Sequence, residues 1–124
     1  MKIDRIVWGA DGTEDSAQAL KIAEALALKF RSHISGVSVI PDYYNVMNLF
    51  PPAEKTRFRD WVDLNLITAR NDEMEQIKRN LATKGIGFDY GVMRGIPAKA
   101  ITNFAARNGA DLIALGRGRS VEKT

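Results

Sequence analysis

Apolar positions along this chain change period repeatedly, and each change marks an element. "IDRIVWGA" (3–10) reads as a short β run ending at glycine. In "DGTEDSAQALKIAEALALKF", Leu20, Ala23, Ala27 and Phe30 recur at helical spacing. Thr13 or Asp15 is placed to cap that helix, and Glu14 and Asp15 sit at the favourable end of its dipole. "HISGVSVI" (33–40) is a second β-branched run, closed by Pro41. The stretch "PDYYNVMNLFPPAEKTRFRD" is polar and aromatic, and Pro51-Pro52 bar a continuous helix, which predicts a long, mobile connection. Beyond it Trp61, Leu64, Ile67, Met74, Ile77 and Leu81 return to near-helical spacing, with a stop at Lys84-Gly85.

Phe88, Tyr90 and Val92 alternate as one face of a third strand. Ile101, Phe104 and Ala105 share a helix opened by Pro97 and closed by Asn108-Gly109. "DLIALG" is a fourth strand with an unbroken apolar run, the pattern of a parallel strand covered on both faces. The order βαβαβαβ predicts an α/β fold with an open, doubly wound, mostly parallel sheet. At 124 residues, with no linker or internal repeat, residues 1–124 are expected to form a single domain.

Composition removes several chemistries. There is no cysteine, so disulfides, thiolate metal sites and thiol nucleophiles are excluded, and a reducing, cytoplasmic setting is expected. The first apolar run is too short for a signal-peptide core, and no stretch has membrane-spanning length. The net charge is +3, but Lys55, Arg57 and Arg59 are interleaved with Asp60 and Asp63, so neither a nucleic-acid nor a membrane partner is expected.

In an open α/β sheet the ligand crevice lies beyond the carboxyl ends of the strands, where strand order reverses. Strand 1 delivers Gly9-Ala10-Asp11-Gly12-Thr13 to that rim, strand 2 Ser38-Val39-Ile40, strand 3 Arg94-Gly95 and strand 4 Gly116-Arg117-Gly118-Arg119-Ser120. Glycine lets backbone amides approach an anion, arginine brings charge and serine a hydroxyl, so the last loop suits phosphate; a plain turn followed by a solvated tail is the other reading. Asp11 can accept from an adenine amine or ribose hydroxyl, or can simply serve the start of the following helix.

Two segments, "IVWGADGTEDSAQALKIAEALA" and "RGIPAKAITNFAARNGADLIALGRGRS", resemble universal stress proteins in the same order, and the similarity spans about residues 3 to 120. The resemblance implies a Rossmann-like sheet of the adenine nucleotide alpha hydrolase type, with family strand order 3-2-1-4-5. Here that order becomes 3-2-1-4, with the fifth strand missing. It implies an adenine-nucleotide-binding regulatory module of the stress response taking ATP or AMP, with Mg2+ only alongside nucleotide and at most slow ATP hydrolysis. The corresponding nucleotide-binding residues are Ala10, Asp11, Val39, Leu115, Gly116, Gly118, Arg119 and Ser120, with no catalytic residue and no resident metal.

The family signature is Gly, two residues, Gly, about nine residues, then Gly-Ser or Gly-Thr; here Gly116-Arg117-Gly118 is one residue tighter and the later pair is absent. Gly9 stands where the family often has proline. Only Val121 to Thr124 follow Ser120, which leaves strand 4 as a sheet edge, an association hazard unless covered. A homodimer or a partner strand over strand 4 is therefore expected. The alternative reading is a member of the same family that binds no nucleotide and acts as a dimerising interaction module.

Other constellations fit poorly. His33 is the single histidine and starts strand 2, the wrong end for a Ser-His-Asp site in the crevice. No Gly-x4-Gly-Lys-Ser/Thr loop or dinucleotide fingerprint occurs. Strand 3 lacks the carboxylate of a phosphoacceptor receiver domain, and Gly12-Thr13-Glu14-Asp15-Ser16 only faintly echoes an adenylating loop. Tyr43, Tyr44, Phe50, Phe58 and Trp61 could form a partner surface, although core packing of the helical ones is the better expectation.

Overall fold

β1 (Arg5–Ala10) is the strand around which the chain is organised in this computed structural model, which describes residues 1–11, 13–40 and 49–116. It pairs in parallel with β2 (His33–Ile40) on one side and β4 (Leu112–Leu115) on the other, and β3 (Phe88–Arg94) completes the order β3-β2-β1-β4. Trp8 lies opposite Gly36 and Ala114, and Gly9 opposite Val37 and Leu115, so β1 and β4 end at a common rim. The crossovers are α1 (Glu14–Phe30), a composite of α2 (Pro52–Trp61), a π-helical segment (Val62–Ile67) and α3 (Thr68–Ala82), and finally α4 (Pro97–Arg107).

The strands divide the core into two layers because their side chains alternate. Ile6, Trp8, Ala10, Ile34 and Phe88 pack against Ala19, Ala23 and Ala27 of α1 and Met74 and Leu81 of α3. Val7 and Val37 pack against Ala105, Ile101 and Phe104 of α4 on the other side. The alanine stripe of α1 lets that helix lie close to the sheet. Gly85 and Gly109 take φ values of +76° and +62° just past α3 and α4, as the expected stops require. α1 ends differently, on Arg31 at φ 57°, whose amide donates to the Ala27 carbonyl. Among the described residues no helix is long and apolar enough to cross a membrane.

Three expectations from the pattern need correction. Residues from Pro52 onward are helical rather than part of a long connection, because proline at the first helical position loses no hydrogen bond and is preset in φ. Trp61 and Leu64 are 54% and 71% exposed instead of sharing the buried face of Met74 and Leu81. The π-helical turns between them put more residues into each turn and shift the phase, so that Val62 is buried in their place. Near the surface Phe58 stacks on Trp61 with ring centres 6.5 Å apart, and Phe50, just before the helix, lies tilted against Phe58 at 5.9 Å. Tyr43 and Tyr44 lie outside the described residues.

The third correction concerns β4, which is not covered on both faces by the described residues. Leu112 and Ala114 pack into the α1 layer, but Ile113 and Leu115 remain 41% and 54% exposed. α4, the helix of that face, packs on β1, β2 and β3 instead.

Candidate functional site

The turn after β1 is shaped by a small hydrogen-bond relay. Thr13 caps α1, its hydroxyl accepting from the Ser16 amide at 3.2 Å. That hydroxyl and the Thr13 amide both donate to Asp11 Oδ1, at 2.5 and 2.9 Å. Partial burial works against charge on Asp11, yet the bonds from Thr13, with smaller contributions from Ser16 and its own backbone, outweigh it and hold the carboxyl below its ordinary pKa. Asp11 is thus an ionised acceptor fixed at the end of the central strand. Trp8 anchors the same turn from inside, its indole Nε1 donating to the Ser16 carbonyl at 2.8 Å.

Gly9 and Gly116 occupy this rim for reasons of space. A Cβ on Gly116 would lie 2.6 Å from the Ser16 nitrogen and 2.7 Å from the Asp15 carbonyl carbon, so only glycine lets the end of β4 pass the first turn of α1. A Cβ on Gly9 would lie 2.5 Å from Leu115 Cδ2 and 3.1 Å from Ile101 Cδ1. Gly9 is therefore matched to the Leu115 and Ile101 side chains.

Around this rim the strand ends enclose a pocket of about 400 Å³ lined by Ala10, Asp11, Val39, Leu115 and Gly116, all expected from the sequence. Gly9 and Ser38 complete its floor, and Pro97, Ala98 and Ile101 from the start of α4 form one wall. Gly118, Arg119 and Ser120 lie outside the described residues. Apart from Asp11, Arg70 and Ser38, the lining residues are apolar or glycine. Such a chamber suits a flat, largely apolar group with one or two polar anchors.

Arg70, like Pro97, Ala98 and Ile101, was not expected at the site from the sequence, and it is the charged one among them. It belongs to α3 on the stripe Arg70, Met74, Ile77, Leu81, whose later members pack into the core. Its own position overhangs the strand ends, so a cation occupies a core-facing register without being buried. Its Nη1 donates to Glu73 Oε2 at 3.3 Å, and its side chain is 33% exposed. An arginine on an otherwise apolar helical stripe was the signal available in the sequence. Arg94 at the end of β3 forms an ion pair with Asp63 and ties the π-helical segment to the same end of the sheet. Among the described residues no group of three or more His, Asp or Glu side chains is placed to hold a metal ion.

Comparison with known proteins agrees with this architecture. UspA, a universal stress protein from Lactobacillus plantarum, superposes with a TM-score of 0.79 at 20% identity, covering 99% of this chain and 83% of that one. A member of the same family from Burkholderia pseudomallei gives 0.74 at 18% identity, over 92% of this chain and 81% of that one. A universal stress protein crystallised in complex with cAMP gives 0.55 at 18% identity, over 91% and 71%. No curated protein matches the sequence. The model of the universal stress protein family matches residues 2–122, and the chain belongs to that family.

Proposed function

We propose that this protein is an adenine-nucleotide-binding regulatory module of the stress response, taking ATP or AMP in the pocket at the carboxyl ends of β1, β2 and β4. The observation that carries the reading is the convergence of Ala10, Asp11, Val39, Leu115 and Gly116 on one pocket. In this reading the Asp11 carboxylate accepts from the adenosine, the Val39 backbone meets the adenine edge, and the loop from Gly116 through Gly118, Arg119 and Ser120 takes phosphate. The apolar walls fit a purine ring, and the solved relative bound to cAMP supports a nucleotide as the guest. Mg2+ would enter only with the nucleotide, hydrolysis would be slow at most, and the proposed setting is the cytoplasm.

Calorimetric titration with ATP and AMP, with and without Mg2+, tests this. Heat of binding that disappears in Asp11→Ala is the expected result; no heat with the intact protein would overturn the reading. A second reading, a dimerising interaction module without nucleotide, is favoured by the half-exposed Ile113 and Leu115 beside Ile22 of α1. Sedimentation of the protein with and without nucleotide separates the two.

A further inference from the structure

We propose that Arg70 is a specificity-determining residue of this pocket that covers the base of the bound nucleotide; the inference rests on the nucleotide reading above. Arg70 stands on the helix that crosses from β2 to β3, and so lines the pocket at its Ser38–Val39 end. Leu115 and Gly116 form the opposite end, against the first turn of α1. The base is assigned to the Val39 end, which makes Arg70 its neighbour rather than the phosphate's.

Charge and shape agree with that placement. A guanidinium is planar and weakly hydrated, so its face can lie on an aromatic ring while its edges remain donors. Among the described residues one ion-pair contact engages Nη1 of Arg70, at 3.3 Å, on a glutamate that is itself 47% exposed. Glu73 engages one nitrogen at the edge of the group, and a guanidinium held by one edge nitrogen can turn its face to the pocket. Among the described residues the pocket is lined, besides Asp11 and Arg70, by small or apolar residues that include Val39, Pro97, Ala98 and Ile101, an apolar slot for a purine ring. Because arginine can only donate hydrogen bonds, it also favours bases with exposed acceptor nitrogens or oxygens along their edge.

The test is titration of the intact chain and of Arg70→Ala and Arg70→Lys with adenosine, AMP and ribose 5-phosphate, each variant first checked by thermal unfolding. Arg70→Ala is expected to weaken adenosine and AMP by the same factor, roughly threefold to thirtyfold, while ribose 5-phosphate is unchanged. Arg70→Lys keeps the charge but loses the plane, and is expected to behave like the alanine variant. Loss confined to AMP and ribose 5-phosphate, with rescue by lysine, would make Arg70 a phosphate anchor and overturn the proposal; so would unchanged adenosine affinity in Arg70→Ala. Failure of the intact protein to bind adenosine or AMP would instead remove the nucleotide reading itself, and the role of Arg70 with it.

Discussion

The two ends of the sheet carry similar polar residue types put to opposite uses. At the amino ends of the strands, Ser35 Oγ donates to Asp89 Oδ1 at 2.5 Å and His33 Nε2 meets the same oxygen at 2.8 Å. Nearby, Asp111 Oδ2 accepts from the amides of Asp4 and Arg5 at 2.9 and 3.1 Å, and the Ser32 hydroxyl donates to the Ile3 carbonyl. Serine, histidine and aspartate thus gather where no crevice chemistry was expected. Both donors converge on the carboxylate instead of forming a relay, and the groups satisfy one another. At the carboxyl ends, Asp11 is set by Thr13 beside apolar walls and an arginine that leans over from α3. A polar cluster is a binding site when its surroundings leave something unsatisfied for a ligand, not when its residue types match a catalytic list.

Breaking the packing of the rim is the largest expected effect. Gly116→Val would drive side-chain atoms into the backbone of Asp15 and Ser16, and should lower stability by about 3 kcal/mol. The midpoint of urea unfolding reads that change. An unchanged midpoint would mean that the rim yields to the added side chain.

At the other end, Asp89→Ala should cost about 2 kcal/mol, because it leaves the buried Ser35 hydroxyl without its acceptor, while nucleotide heats stay as they were. Burial opposes charge on Asp89, but the bonds from Ser35 and His33 and the His33 charge outweigh it and depress its pKa. A carboxyl depressed in the folded state adds stability that is complete above its unfolded pKa and is lost as pH falls through the folded value. Unfolding followed from neutral pH to below about pH 4 should therefore show an acid loss that is shallower in Asp89→Ala. Equal acid slopes would assign the dependence to other carboxylates.

The smallest effect expected is a gain. Arg31 holds a left-handed conformation at the end of α1, far from the pocket, and Arg31→Gly should raise stability by about 0.5–1 kcal/mol. Differential scanning calorimetry would show a higher Tm, with the ATP titration the same as for the intact protein. A lowered Tm would reveal that the Arg31 side chain contributes more than its backbone costs.

Much of this was legible because it is local. β2 runs over His33–Ile40 as the β-branched run and Pro41 indicate, and Thr13 caps α1 as its spacing suggests. Ala10, Asp11, Val39, Leu115 and Gly116 could be placed at one rim before any coordinates, since parallel strands in an open sheet deliver their ends to one side. The helix at Pro52 was missed because a proline pair reads as a breaker unless one knows that the second stands at the first helical position. Trp61 and Leu64 were misplaced because a π-helical phase shift leaves no trace in apolar spacing.

Residue order and periodicity by themselves determined the alternation of strands and helices, the caps, and which turns meet at the carboxyl rim; these depend on neighbours within a few positions and on the handedness of crossovers. Tertiary structure alone decided that Gly116 must clear the first turn of α1, that Ile113 and Leu115 stay half exposed, and that Arg70 overhangs the pocket. Those facts depend on where separate elements come to rest against one another, and contacts across the fold carry no periodic signature along the chain.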